Sequence, residues 1–83
     1  MSLGTAILKI LNKQYGPSMM VETRFKNYDL AFKTDEDGNP ILLFLGKKND
    51  AGNIQGERYS RRMVKDENGI LIKDHWDLQG KAS

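Results

Sequence analysis

At 83 residues the chain is one small domain, with a core near the lower limit of independent stability, so burial must be efficient or shared with a partner. It contains no cysteine, which excludes disulfides and thiolate metal sites and is compatible with a reducing cytoplasm. Thirteen basic against eleven acidic side chains leave a net charge of +2, too mild a bias to demand a polyanionic partner.

No apolar run reaches the length needed to cross a bilayer, and the start lacks a signal-like pattern, so a soluble cytoplasmic chain is expected. Residues 1–4 precede the first plausible helix cap, Thr5, and read as a flexible start or a cloning remnant. From Thr5 to Tyr15 the residues Ile7, Leu8, Leu11 and Tyr15 recur at helical spacing, which predicts one amphipathic helix stopped by Gly16 and Pro17.

Beyond it, Met19, Val21, Thr23 and Phe25 alternate with more polar residues, and Tyr28, Leu30 and Phe32 resume the alternation after an odd step at Lys26-Asn27. Residues 20–34 are therefore expected as one long bent strand, with two strands as the alternative. Further strands are expected over Ile41–Lys48, Ile54–Lys65 and Ile70–Leu78, with 80–83 as a flexible tail.

Three tetrads punctuate these strands: Asp35-Glu36-Asp37-Gly38, Asn49-Asp50-Ala51-Gly52 and Asp66-Glu67-Asn68-Gly69. In each, the Asx side chain can bond the backbone two residues on, while the glycine can take the positive φ of a type I turn followed by a bulge. Three hairpins result. The fold class predicted is α+β, with an N-terminal helix packed on a four-stranded, or alternatively five-stranded, antiparallel β-meander.

Placing Asp35 opposite Asn39 faces Phe32 with Leu42 and Leu30 with Phe44, which predicts Leu42 and Phe44 in the core and sends Ile41, Leu43 and Leu45 to the other side. That second apolar row is either buried by curling of the sheet or offered as a protein interface, for which a homo-oligomer is the natural form. Placing Asp66 opposite Ile70 pairs Val64 with Ile72 and Arg62 with Asp74; a neighbouring register gives Arg61 with Asp74 instead. The expected core comprises Ile7, Leu8, Leu11, Val21, Leu30, Phe32, Leu42, Phe44, Val64, Ile72 and Trp76.

Polar chemistry is densest in Tyr59-Ser60-Arg61-Arg62 and Asp74-His75-Trp76-Asp77. These are residue types of an acid–base site, but with one histidine, no metal-ligand cluster and no nucleophile motif they read as the face of a hairpin. The chain is therefore expected to be no enzyme and to take no metal or cofactor. The acidic turn at Asp35 has the wrong spacing for an EF-hand, and the glycines form no phosphate-binding fingerprint. A nucleic-acid surface is the second reading: Arg58, Arg61, Arg62, Lys65 and Lys73 would follow phosphates, while Tyr59 and Trp76 would stack single-stranded bases. Glu57, Asp66, Asp74 and Asp77 interrupt that positive field.

The stretch from Glu57 through Gly69 and on through Asp74-His75-Trp76-Asp77 resembles a family of small proteins of Bacteroidetes-type bacteria with no assigned activity, a resemblance spanning the C-terminal two-thirds. The turns are also similar, more loosely, to the Asp-x-x-Gly turns of RHS-like repeats, although unequal spacing argues against a regular array. Neither resemblance implies catalytic residues. The expected function is a non-enzymatic intracellular protein-interaction module, homodimeric in its simplest form, with single-stranded nucleic-acid binding as the alternative.

Overall fold

A computed structural model describes residues 3–82. A short helix α1 (Thr5–Leu11) precedes five strands, β1 (Met20–Phe25), β2 (Tyr28–Thr34), β3 (Pro40–Lys48), β4 (Ile54–Lys65) and β5 (Leu71–Ala82). They form one antiparallel sheet in the order β1-β2-β3-β4-β5. The α+β meander expected from the turns is the fold observed, in its five-stranded form. The expectations for Met1, Ser2 and Ser83 lie outside the described residues.

Each Asx tetrad reverses the chain by the same bonds. The Oδ1 of Asp35 accepts from the backbone N–H groups of Asp37 and Asn39, at 2.9 Å each. Asn49 repeats this with Ala51 and Asn53, and Asp66 with Asn68 and Ile70. Gly38, Gly52 and Gly69 take φ of 83°, 84° and 80°, where a Cβ would be strained. A fourth reversal divides residues 20–34 into two strands rather than one bent one. Phe25 pairs directly with Tyr28, and Lys26 takes φ 54°, as the first central residue of a two-residue hairpin does.

Two of the turns carry a bulge, and each bulge shifts the register by one residue from that expected. Thr34 pairs with Pro40 but Lys33 with Leu42, so Ile41 has no partner on β2. Phe32 consequently faces Leu43, and Leu30 faces Leu45. Likewise Lys65 pairs with Leu71 and Val64 with Lys73, leaving Ile72 as the extra residue. A slip of one residue exchanges the faces of everything beyond it. Leu43 is therefore fully buried and Leu45 packs against the core, whereas Leu42 and Phe44 turn to the opposite side. The row Ile41, Leu43, Leu45 is not an outward apolar face.

The core lies between α1 and one face of the sheet and contains Ile7, Leu11, Leu30, Phe32, Leu43 and Tyr59, with Val21, Phe25, Leu45 and Trp76 at its margin. Val64 and Ile72, expected inside, are exposed. A seven-residue helix is marginal alone and is held by this packing. Gly4, not Thr5, occupies its N-cap position, without a side-chain cap bond. The helix ends at Leu11, yet Tyr15 still reaches the core: its ring packs edge-on against Phe32 with centroids 5.0 Å apart. Its hydroxyl donates to the Ile10 carbonyl at 2.7 Å, satisfying an acceptor of the last turn.

The loop from the helix to β1 is bolted to the end of β2. Buried Thr34 donates its hydroxyl to the Gly16 carbonyl at 2.7 Å and accepts from the Met19 N–H at 2.9 Å. At the other end of the chain, Gly80 and Lys81 pair with Arg58 and Glu57, so the segment expected as a tail is part of β5. The pairing of β3 with β4 reaches only Ser60. Residues beyond it on β4, with residues 71–76 of β5, form a two-stranded arm projecting from the sheet.

Candidate functional site

The polar residues of β4 and β5 divide between the two sides of the sheet. Directly opposed antiparallel residues share a face, and Tyr59 is in the core. Arg61, Asp74, Trp76 and Leu78 therefore lie on the helix side, while Arg58, Ser60, Arg62, Lys73, His75 and Asp77 lie on the outer side.

On the helix side, Arg61 is a junction. Its Nε and Nη2 donate to Oδ1 and Oδ2 of Asp74, each at 2.6 Å. Its Nη1 donates to the carbonyls of Leu11 and Pro40 at 3.3 and 3.2 Å, and its guanidinium lies 5.7 Å from the centre of the Trp76 ring. The end of α1, the bulge of β3 and the arm are thus tied to one side chain, itself only 6 % exposed. Hydrogen bonds from Arg61 hold the Asp74 carboxyl below its ordinary pKa, against the opposing effect of burial. The Arg61-Asp74 contact is diagonal: Arg61 lies opposite Trp76 and Met63 opposite Asp74, so neither the Arg62-Asp74 register nor the neighbouring one that sets Arg61 opposite Asp74 is the register observed, and Arg62 stands opposite His75 instead. The indole Nε1 of Trp76 is buried without a hydrogen-bond partner.

Tyr59 is also a structural group. Its hydroxyl donates to Glu57 at 3.0 Å, and burial, reinforced by that carboxylate, pushes its pKa up to about 12. A ring that is 2 % exposed offers no face to a base. Of the cations proposed for nucleic acid only Arg61 is brought beside a ring, that of Trp76, and the others are divided from both rings. Tyr59, Arg61 and Trp76 are engaged beneath the helix side, while Arg58, Arg62 and Lys73 stand on the outer side and Lys65 near the tip of the arm.

On the outer side, His75 Nε2 lies 3.1 Å from Asp77 Oδ2, and Ser60, opposite Asp77, accepts a bond from Gln79 at 2.8 Å. His75 and Asp77 are roughly two-fifths exposed, so water reaches both side chains. Among the described residues no group of three or more His, Cys, Asp or Glu side chains could hold a metal ion, and no helix is long and apolar enough to cross a membrane.

What the outer side does present is an apolar row without a covering helix, in which Met20 is exposed, Leu42 and Phe44 are half-buried and Ala31 and Ile54 are buried. A groove of about 360 Å³ runs between β1 and the β3–β4 turn, lined by Met20, Ala31, Phe44 and Ile54, and Leu42 continues its row. At its rim Lys48 pairs with Glu22 at 2.7 Å. The arm adds Val64, Ile70, Leu71 and Ile72, all exposed. The sequence did show a doubly apolar third strand; the bulge at Ile41 decides which row is left outside. Compared with protein-family models, curated proteins and solved structures, the chain matches none.

Proposed function

We propose that this chain is a non-enzymatic intracellular protein-interaction module, homodimeric in its simplest form. One observation carries the reading: a five-stranded sheet with a helix on one face only, whose other face bears Met20, Leu42 and Phe44 around an open groove. An antiparallel sheet facing water is ordinarily polar on its open side, and contiguous apolar surface rimmed by charge marks contact with another protein. The lack of cysteine suits a reducing compartment.

The test is the solution mass of the untagged chain, freed of nucleic acid, by sedimentation equilibrium over a wide concentration range. A mass above that of the 9.4 kDa monomer is expected. A chain that stays monomeric at every concentration overturns the reading.

A further inference from the structure

We infer that the second copy docks through the free edge of β5, where two chains align antiparallel about a twofold axis passing at His75. The inference rests on the interaction-module reading and names its partner as another copy of this chain. Strand β5 is an outer strand of the sheet, so one side of its backbone has unpaired N–H and C=O groups available to a further strand. Its register with β4 shifts near each end, at Ile72 and at Gln79, and runs regularly over Lys73–Leu78 between them. Within the arm, moreover, β5 belongs to a ribbon of only two strands, the number that is marginal without a third.

The side chains of this stretch are self-complementary in one register. Lys73, His75 and Asp77 alternate on the outer side. With His75 opposite its counterpart, Lys73 of each copy faces Asp77 of the other, giving two cross-strand ion pairs. The same alignment sets Ile72 of each copy beside Leu78 of the other, and these are 64 % and 44 % exposed in the single chain. Moving the strands by two residues in either direction opposes Asp74 to Leu78 or to its own counterpart. Either move breaks both Lys73–Asp77 pairs, and the register centred on Asp74 also sets like charges directly opposite, which destabilises a pair of strands.

Charge exchange tests the register. Lys73→Glu sets Glu against Asp77 of the partner, and Asp77→Lys sets Lys against Lys73. Each variant alone should weaken dimerisation at least tenfold. Mixing the two variants restores both ion pairs in a heterodimer, which sedimentation of the mixture should recover to near wild-type affinity. Circular dichroism of each variant first establishes that the sheet is intact. A wild-type dimer whose affinity neither charge variant alters would overturn the β5 edge while leaving the interaction module standing; loss of the dimer in Phe44→Ser alone would then place the contact on the outer groove. Monomeric wild-type protein would instead remove the module itself.

Discussion

Arg61 grips Asp74 through both prongs of its guanidinium, Nε to Oδ1 and Nη2 to Oδ2 at 2.6 Å each, while its third nitrogen holds the Leu11 carbonyl at the end of the helix. A lysine has no planar fork and can serve only one of these partners at a time. Arg61→Lys should therefore destabilise the fold by about 1–2 kcal/mol, less than for a wholly buried pair because Asp74 is 29 % exposed. Chemical denaturation of Arg61→Lys, Asp74→Asn and the double variant should give a coupling of about 1 kcal/mol. Additive losses would show the pair to be incidental.

The same pair sets an acid limit. A carboxyl held below its ordinary 3.8 in the folded chain contributes its stability above that value and loses it as the pH falls through the lower, folded pKa. Acid unfolding of the wild type should thus steepen below about pH 4, and Asp74→Asn should flatten that limb. Two superimposable acid profiles would contradict the assignment.

Tyr59 sets an alkaline limit of opposite sign. Its phenol is raised from 10.0 to about 12, so the preference for the protonated group stabilises the fold fully below pH 10.0 and fades as the pH climbs toward 12. Tyr59→Phe should be the less pH-sensitive protein in that window, as thermal melts will show. Equal alkaline slopes would mean the hydroxyl is not buried.

Two turn glycines with nearly equal backbone angles should differ in their tolerance of a side chain. Gly38 and Gly69 have φ of 83° and 80°, but a Cβ on Gly38 would collide with the Tyr15 carbonyl whereas one on Gly69 meets nothing. Gly69→Ala should cost about 1 kcal/mol through backbone strain alone. Gly38→Ala should cost about 2–4 kcal/mol, because overpacking is added and the bond from Tyr15 N–H to the Gly38 carbonyl is displaced.

Lys26 offers a gain instead. A lysine at φ 54° occupies a region that glycine enters without penalty, so Lys26→Gly should stabilise the β1–β2 hairpin by about 0.5 kcal/mol, after subtracting a weak contact of its ammonium with Phe25. A lowered melting temperature would show that contact to outweigh the strain.

Much of the architecture was legible because it was written in local turn chemistry: the three Asx tetrads place the glycines, the strand ends and the meander. The bulges were less legible, since whether Ile41 and Ile72 join the ladder depends on tertiary packing, and nothing in their identity separates them from their neighbours. From those two residues follow the wrong core face on β3, the misplaced Val64, and Met63 in place of Arg62 opposite Asp74, with Arg61 reaching Asp74 diagonally from its place opposite Trp76. Helical spacing runs on to Tyr15, but the helix stops at Leu11 and the Tyr15 amide is drawn to the Gly38 carbonyl instead. Alternation along β4 separates Tyr59 and Arg61 from Arg58 and Arg62 in any register; which of the two rows lies beneath the helix is decided by the buried Tyr59.

The order of the sheet is the order of the chain, and this governs how the molecule assembles. Every ladder joins consecutive strands, so each can close a short loop and zip from its own turn, which favours rapid folding. Docking of the helix is different: the bond from Arg61 to the Leu11 carbonyl bridges 50 positions of sequence, and it needs β4 and the β3 bulge in place beforehand. Loop-closure entropy therefore predicts that the sheet forms first as hairpins and the helix docks last, with φ-values near zero at Ile7 and Leu11.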